Sequence, residues 1–121
     1  MRQTPNADPR AEAGVEAVAA GIPPVRDELS KAAADVKGLV HDGRLAEARE
    51  RFADIVSYEQ RRASRIAYHF LRDGSEADEA VQDAFLKVFS HISSFRDDLP
   101  FEVWFTRILI NGCLDRQKAR R

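Results

Sequence analysis

The pattern of apolar positions is clearest between residues 76 and 92. Apolar side chains recur there at spacings of three and four, the period of an amphipathic helix that buries one face. These positions are Ala77, Ala80, Val81, Ala84, Phe85, Val88, Phe89 and Ile92. Ser75 is suited to cap the N-terminus of this helix, and Glu76 and Asp78 complement the helix dipole. The segment therefore predicts a helix packed on a core.

Two other segments carry the same helical period. An apolar stripe over residues 45–70 predicts a long helix, interrupted on that face by Glu59, and Gly74 is suited to a left-handed cap at its end. A loop over residues 93–100 precedes a last helix, which Pro100 introduces and which ends in a basic run. No stretch alternates apolar and polar residues for long enough to predict a strand.

The chain before residue 45 carries weaker signals. Four of the five prolines lie before residue 25, in a composition that predicts a flexible extension over residues 1–26. Residues 27–44 predict an accessory helix, since apolar side chains recur at helical spacing from Leu29 until Gly43. This helix either packs on the domain or covers a binding face as a brake. The predicted fold is all-α, a compact bundle of three long helices over 45–121 with this weaker N-terminal helix.

Composition narrows the function classes. The 121 residues carry a formal net charge of −1, so any affinity for nucleic acid must come from local clusters of cations. The three histidines and Cys113 show no spacing typical of a metal site or of a nucleophile and base, and no glycine-rich phosphate loop is present. We therefore expect neither an enzyme nor a cofactor. Without a secretory leader or a long apolar run, we expect a cytoplasmic protein with no membrane insertion.

One residue stands out on the polar face of the 76–92 helix. Leu86 lies near the centre of that face, surrounded by Glu79, Gln82 and Asp83. A single exposed leucine is common and can be part of an ordinary solvated surface. A leucine with a polar rim also resembles a small docking site for another protein. The pattern leaves both interpretations open.

The C-terminal part of the chain is aromatic and basic. Its cations are Arg107, Arg116, Lys118, Arg120 and Arg121, with Asp115 as the one acid among them. Such a run is compatible with a solvated helix end, where cations complement the dipole, and with nucleic-acid contact. Phe95 beside Arg96, with Trp104 close by, favours nucleic acid, because unpaired bases stack on aromatic rings. Core packing is the alternative for both rings.

These segments together resemble a known family. Residues 76–89, EADEAVQDAFLKVF, are similar to the core-binding helix of extracytoplasmic-function sigma factors, in which acids flank Val-Gln before Phe-Leu and a basic residue. Phe95-Arg96 and residues 101–111, FEVWFTRILIN, resemble the next segment of the same domain, region 2. Asp115-Arg116 and the basic run continue the match, which covers about residues 50–121.

The resemblance implies a binding partner for each surface. Core RNA polymerase, through the clamp helices of its largest subunit, would bind Glu79, Gln82, Asp83 and Leu86. The non-template strand of the promoter −10 element would be held at the other end of the domain. A base flipped from the stack would enter the loop formed by Phe95, Arg96, Asp97, Asp98 and Leu99. Trp104, Arg107 and Asn111 would face that element, and phosphates would be bound by Arg116, Lys118 and Arg120.

The chain also departs from the family pattern. The family has a second helical domain that reads the −35 element, and no such domain is present in these 121 residues. An anti-sigma factor is a further expected partner, and we expect a monomer. The competing hypothesis is a helical protein-interaction scaffold, because residues 43–52 resemble half of a tetratricopeptide unit.

Overall fold

The computed structural model of the protein describes residues 27–96 and 98–120, where all regular structure is helical. Helix α1 spans Asp27–His41, α2 Leu45–Leu71, α3 Gly74–Ser90 and α4 Phe101–Ala119. A 3₁₀ turn, Ile92–Ser94, lies between α3 and α4. The predicted all-α bundle of three long helices with a shorter N-terminal helix is confirmed. The predicted flexible extension, residues 1–26, lies outside the described residues.

The junction between α2 and α3 differs from the prediction. Arg72 ends α2 in the left-handed conformation, with φ 56°, and Asp73 caps α3 by accepting the Glu76 N–H at 2.9 Å. The prediction that Gly74 forms the left-handed cap and Ser75 the N-cap was wrong by two residues. An aspartate side chain satisfies a first-turn N–H as well as a serine does, so α3 begins earlier, with Gly74 inside it.

Three aromatic rings join the long helices. Phe85 of α3 stacks on Phe105 of α4 with ring centroids 4.7 Å apart, and its edge meets Phe52 of α2 at 6.2 Å. All three side chains are buried. Stacked and edge-to-face pairs of this kind add to the stabilisation that comes from burying the rings themselves. The core therefore lies where α2, α3 and α4 meet.

Helices α2 and α4 run side by side in the same direction. Near the N-terminal end of α4, Arg62 Nη2 donates to Thr106 Oγ1 at 3.0 Å. Near its C-terminal end, Gln117 Nε2 donates to the Phe70 carbonyl at 2.6 Å. Because later residues of one helix meet later residues of the other, the two helices are parallel neighbours.

A charged cluster is buried between these two helices. Glu59, which interrupts the apolar stripe of α2, is fully buried and lies 2.9 Å from Arg62. Glu102 of α4 is also buried, with its carboxylate 3.8 Å from the same guanidinium. Buried carboxylates are stable only when a cation or hydrogen bonds compensate for lost hydration. Arg62 therefore holds two acids inside the α2–α4 contact.

Candidate functional site

The predicted docking face, defined as Glu79, Gln82, Asp83 and Leu86 of α3, is exposed in all four of its residues. Leu86 has 69% of its surface accessible, more than any other large apolar side chain of the described chain. The other large apolar residues of α3 are buried or half-buried in the bundle. Leu86 therefore projects from the side of α3 that faces away from the core.

An arginine of α4 is bound to the acids of this face. Arg116 Nη2 donates to Asp83 Oδ2 at 2.6 Å, and Arg116 Nη1 donates to Glu79 Oε1 at 3.2 Å. The hydrogen bond to Asp83 is the main reason that the pKa of Arg116 is raised. This arginine lies on the α3 side of α4 and neutralises part of the charge of the docking face.

A second arginine, the first residue after α4, makes a similar contact one turn further on. Arg120 Nη2 donates to Glu76 Oε1 at 2.7 Å and to the Leu71 carbonyl at 2.9 Å. The predicted phosphate contacts of Arg116, Lys118 and Arg120 thus begin from different places, because both arginines are bound to acids of α3. Acids of α3 attract the two arginines to one side of α4, whereas Lys118 lies on another side.

The polar face of α4 consists of Trp104, Arg107, Asn111 and Lys118. Their spacings of three, four and seven residues place them on one side of the helix. Lys118 is exposed, and the other three are half-buried. The face thus combines an aromatic ring, an amide and two cations, which are groups that can stack on bases, bond to base edges and bind phosphate.

The loop before α4 differs from the prediction at its first residue. Phe95 is 1% exposed, and its ring packs against Phe101 and Trp104 at centroid distances of 5.9 and 5.5 Å. In this structure Phe95 thus follows the core-packing alternative, since burial among other aromatic rings stabilises it. The same contacts explain why Trp104 is half-buried.

The rest of this loop lies at the surface. Arg96 and Asp98 are exposed and form an ion pair with an N–O distance of 2.9 Å, and Leu99 is half-buried. Asp97, also predicted to contact DNA, lies outside the described residues. An exposed pair of this kind contributes little stability, so both side chains can exchange their partner for a ligand.

Helix α1 holds both ends of this loop, which sequence reasoning did not find. Lys37 Nζ donates to the Phe95 carbonyl at 2.6 Å, and Ser30 Oγ accepts the Phe101 N–H at 2.9 Å. That N–H belongs to the first turn of α4, which has no cap from its own N-cap residue, Pro100. The seven-residue spacing of Ser30 and Lys37 places both on one side of α1 and was the available signal.

A groove of about 320 Å³ lies between α3 and α4. Its lining includes Asp83 and Lys87 of α3 and Gly112, Asp115 and Arg116 of α4. Neither Arg107 nor Asn111 lines it, so this groove opens on the side of the docking face and not on the polar face of α4.

Metal binding, thiol reactivity and membrane insertion are the other properties that residues 27–96 and 98–120 bear on. No three histidine, cysteine, aspartate or glutamate side chains there are grouped so that they could hold a metal ion. Cys113 is fully buried, which raises the pKa of its thiol to about 11. Over the same residues, no helix has the length and apolar character required to cross a membrane.

Comparison with known proteins finds similarity to bacterial sigma factors. Residues 55–121 match the family model described as sigma-70 region 2. The chain is similar to the ECF RNA polymerase sigma factor SigM of Mycobacterium tuberculosis, with 36% identity over 77 residues, which cover 64% of this chain and 39% of that protein. It is also similar to the ECF RNA polymerase sigma factor SigW of Bacillus subtilis, with 31% identity over 58% of this chain and 37% of that protein. The chain thus spans less than half the length of these relatives. No solved structure gives a significant match.

Proposed function

Because the chain belongs to the sigma-70 region 2 family, we propose that it acts in transcription initiation as a region 2 domain of the extracytoplasmic-function type. It binds core RNA polymerase through the docking face of α3 and holds the non-template strand of the promoter −10 element along the polar face of α4. Its place of action is the cytoplasm, where it works as a monomer without catalytic activity of its own.

The observation that carries the proposal is the exposure of Leu86 within a polar rim. A leucine with 69% of its surface in water gains free energy when a partner covers it. Glu79 and Asp83 beside it suit a partner surface that carries cations, and Gln82 can both donate and accept hydrogen bonds. A central apolar anchor with charged neighbours is the usual form of a small energetic hot spot.

The strand is held by a different part of the domain. Lys118 and Arg107 provide positive charge on the polar face of α4, and Asn111 between them can pair with a base edge. A base flipped from the duplex costs a few kcal/mol to unstack, so it needs a preformed place beside the strand. We assign that place to the loop at Arg96, Asp98 and Leu99, of which the first two are exposed.

One further partner follows from the docking face. An anti-sigma factor that covers the docking face of α3 would prevent polymerase binding and so keep the domain inactive. The family match over residues 55–121 favours the sigma domain over the tetratricopeptide-like scaffold, a hypothesis that rested on residues 43–52.

Polymerase binding is tested with a clamp-helix fragment of the largest subunit. We expect Leu86→Asp to weaken binding at least tenfold, because it removes the apolar anchor, and Gln82→Ala to weaken it less. The matched control is Leu45→Asp, which adds the same charge at another leucine that is 46% exposed. Binding of both α3 variants at wild-type strength would reject the docking face.

Strand binding is tested with a fluorescent single-stranded oligonucleotide that carries a −10-like sequence, at several salt concentrations. We expect Lys118→Gln to reduce the slope of log affinity against log salt by about 0.7, the value for one phosphate contact to a single strand. Asn111→Ala should reduce the preference for this oligonucleotide over a scrambled one. The control, Lys31→Gln, removes a cation from α1. Equal slopes for all proteins would reject the assignment of α4.

A further inference from the structure

The outward side of α2 carries a regular set of polar side chains that the proposed function leaves unused. We define the tyrosine–arginine face of α2 as Tyr58, Arg61, Arg65, Tyr68 and Arg72. The four within α2 are spaced by three or four residues, so they lie on one side of the helix, and Arg72 follows directly as the left-handed residue that ends it. All five are exposed, and Tyr58 and Tyr68 expose 55% and 48% of their surfaces.

This face is positively charged without compensation. From residue 57 to residue 72 the one acid is Glu59, which is buried on the other side of the helix and bound by Arg62. Arg61, Arg65 and Arg72 make no side-chain hydrogen bond or ion pair with any described part of the chain. Six other arginines are held by acids of the described chain: Arg44, Arg51, Arg62, Arg96, Arg116 and Arg120.

Three adjacent cations with no acid between them repel one another and attract anions. Two tyrosine rings among those cations add flat, half-exposed aromatic surface. Arginines for phosphates and aromatic rings for bases are the groups that hold single-stranded nucleic acid without reading its sequence. An acidic protein surface would pair with the arginines but would not account for two exposed aromatic rings at regular spacing.

The tyrosine–arginine face adjoins the polar face of α4. Ile66 of α2 and Val103 of α4 both pack against the cluster that Ile110 and Leu114 of α4 form, which identifies the strip where the parallel helices touch. Around α2, Arg65 lies about 100° from Ile66, and around α4, Arg107 lies about 40° from Val103. Both helices bury their opposite sides in the common core. Their exposed faces are therefore neighbours on one side of the domain.

We propose that the tyrosine–arginine face of α2 is a second binding track for single-stranded DNA that widens the surface formed by α4. The track is about 21 Å long, since Arg72 comes fourteen positions after Tyr58 at a rise of about 1.5 Å each. This inference rests on the proposed function, because the strand in question is the one that α4 holds. It adds contacts that retain the strand whatever its sequence.

The first test compares two double variants of the full chain that lose the same charge. Arg61→Gln with Arg65→Gln should reduce the salt slope for a single-stranded oligonucleotide by about 1.4, the value for two phosphate contacts. Lys31→Gln with Arg49→Gln removes two cations from other parts of the surface and should leave the slope near that of the wild type. Equal slopes for the two double variants would overturn the proposal.

The second test locates the bases. A single-stranded oligonucleotide substituted with 5-iodouracil forms photo-crosslinks to aromatic side chains that stack on it. We expect a crosslink at Tyr58 or Tyr68, identified by mass spectrometry and lost in the matching Tyr→Ala variant but kept in Tyr→Phe. Crosslinks confined to residues outside α2, or competition by an equal concentration of duplex of the same length, would overturn a single-strand track.

Failure of this inference is distinguishable from failure of the proposed function. Lys118→Gln reports on the polar face of α4 alone. If it lowers the salt slope while the Arg61 and Arg65 double variant does not, the strand is held by α4 and the track on α2 is rejected. If none of these variants lowers the slope, the assignment of DNA binding to this side of the domain fails as a whole.

Discussion

Arg116 of α4 and Asp83 of the docking face of α3 form an ion pair at 2.6 Å that joins the two helices. The same guanidinium reaches Glu79 at 3.2 Å. The arginine is 27% exposed in its side chain, whereas the two carboxylates are about two-thirds exposed. The acids of the docking face thus remain accessible to a partner, with their charge partly offset by α4.

We expect Arg116→Gln to change polymerase binding and to leave DNA binding intact. The loss of the guanidinium leaves two full carboxylates for cations of the clamp helices, so affinity for a clamp-helix fragment should rise a few-fold. Stability should fall by less than about 1 kcal/mol, because the acids are well solvated. Fragment titration and urea denaturation measure the two effects.

Lys118→Gln is the control variant for Arg116→Gln. It removes a cation two residues away on the polar face of α4, so it should lower the salt slope for single-stranded DNA and leave fragment binding unchanged. A reduction of about 0.7 in the slope for Arg116→Gln as well would mean that Arg116 leaves Asp83 and contacts phosphate when DNA binds.

The contacts of α1 with the loop before α4 predict a second effect on DNA binding. Lys37→Met retains the apolar stem but loses the hydrogen bond to the Phe95 carbonyl, and Ser30→Ala loses the acceptor for the Phe101 N–H. Each change should cost about 1 kcal/mol of stability. Single-strand affinity should fall at unchanged salt slope, because neither side chain replaces a phosphate contact.

The matched control for Lys37→Met is Lys31→Met on the same helix. The Lys31 side chain is 74% exposed, and its one ion pair, with Glu28, is long at 3.9 Å. It should leave both stability and DNA affinity near those of the wild type. An increase in affinity for Lys37→Met or Ser30→Ala would mean that α1 restrains the loop in an unfavourable arrangement, which is the brake considered for this helix.

The sequence was sufficient to predict features of a single helix, such as which of its faces is buried and which is exposed. The apolar period of α3 identified its buried face, and the same period identified Leu86 and Gln82 as exposed. Periodicity carries no information on which residues of another helix lie opposite, so the attraction of Arg116 to Asp83 was not predictable. The basic run of α4 was accordingly assigned to one surface although it divides between two.

The loop shows a second limit of sequence reasoning. The burial of Phe95 depends on contacts with Trp104 and on a hydrogen bond from Lys37, which is 58 residues away in the chain. A local pattern of aromatic and basic residues cannot distinguish a ring offered to a base from a ring that completes a core. The sequence shows Glu59 as an interruption of the apolar stripe, but it does not show that Arg62 binds both Glu59 and Glu102.

The buried cluster between α2 and α4 predicts a large loss of stability. Arg62→Met fills a similar volume but removes the cation that faces Glu59 at 2.9 Å and Glu102 at 3.8 Å. Breaking a buried pair by deleting one partner typically costs about 3–5 kcal/mol. Urea denaturation should show this loss, whereas Arg61→Met on the exposed side of α2 should change stability by less than about 0.5 kcal/mol. A similar small effect for both variants would mean that the two acids are held without Arg62.

Cys113 predicts a dependence of stability on alkaline pH. Burial raises the pKa of its thiol from 9.0 to about 11 in the folded protein, so between these values the unfolded chain binds fewer protons than the native one. Stability that this group contributes is therefore fully present below pH 9 and is lost as the pH rises towards 11, by up to roughly 2 kcal/mol. Urea denaturation of the wild type and of Cys113→Ala at pH 8 and pH 10.5 isolates this effect, since other titrating groups are common to both proteins. The free energy of unfolding should fall more steeply for the wild type, and parallel declines would show that the thiol ionises in the folded protein as it does in water.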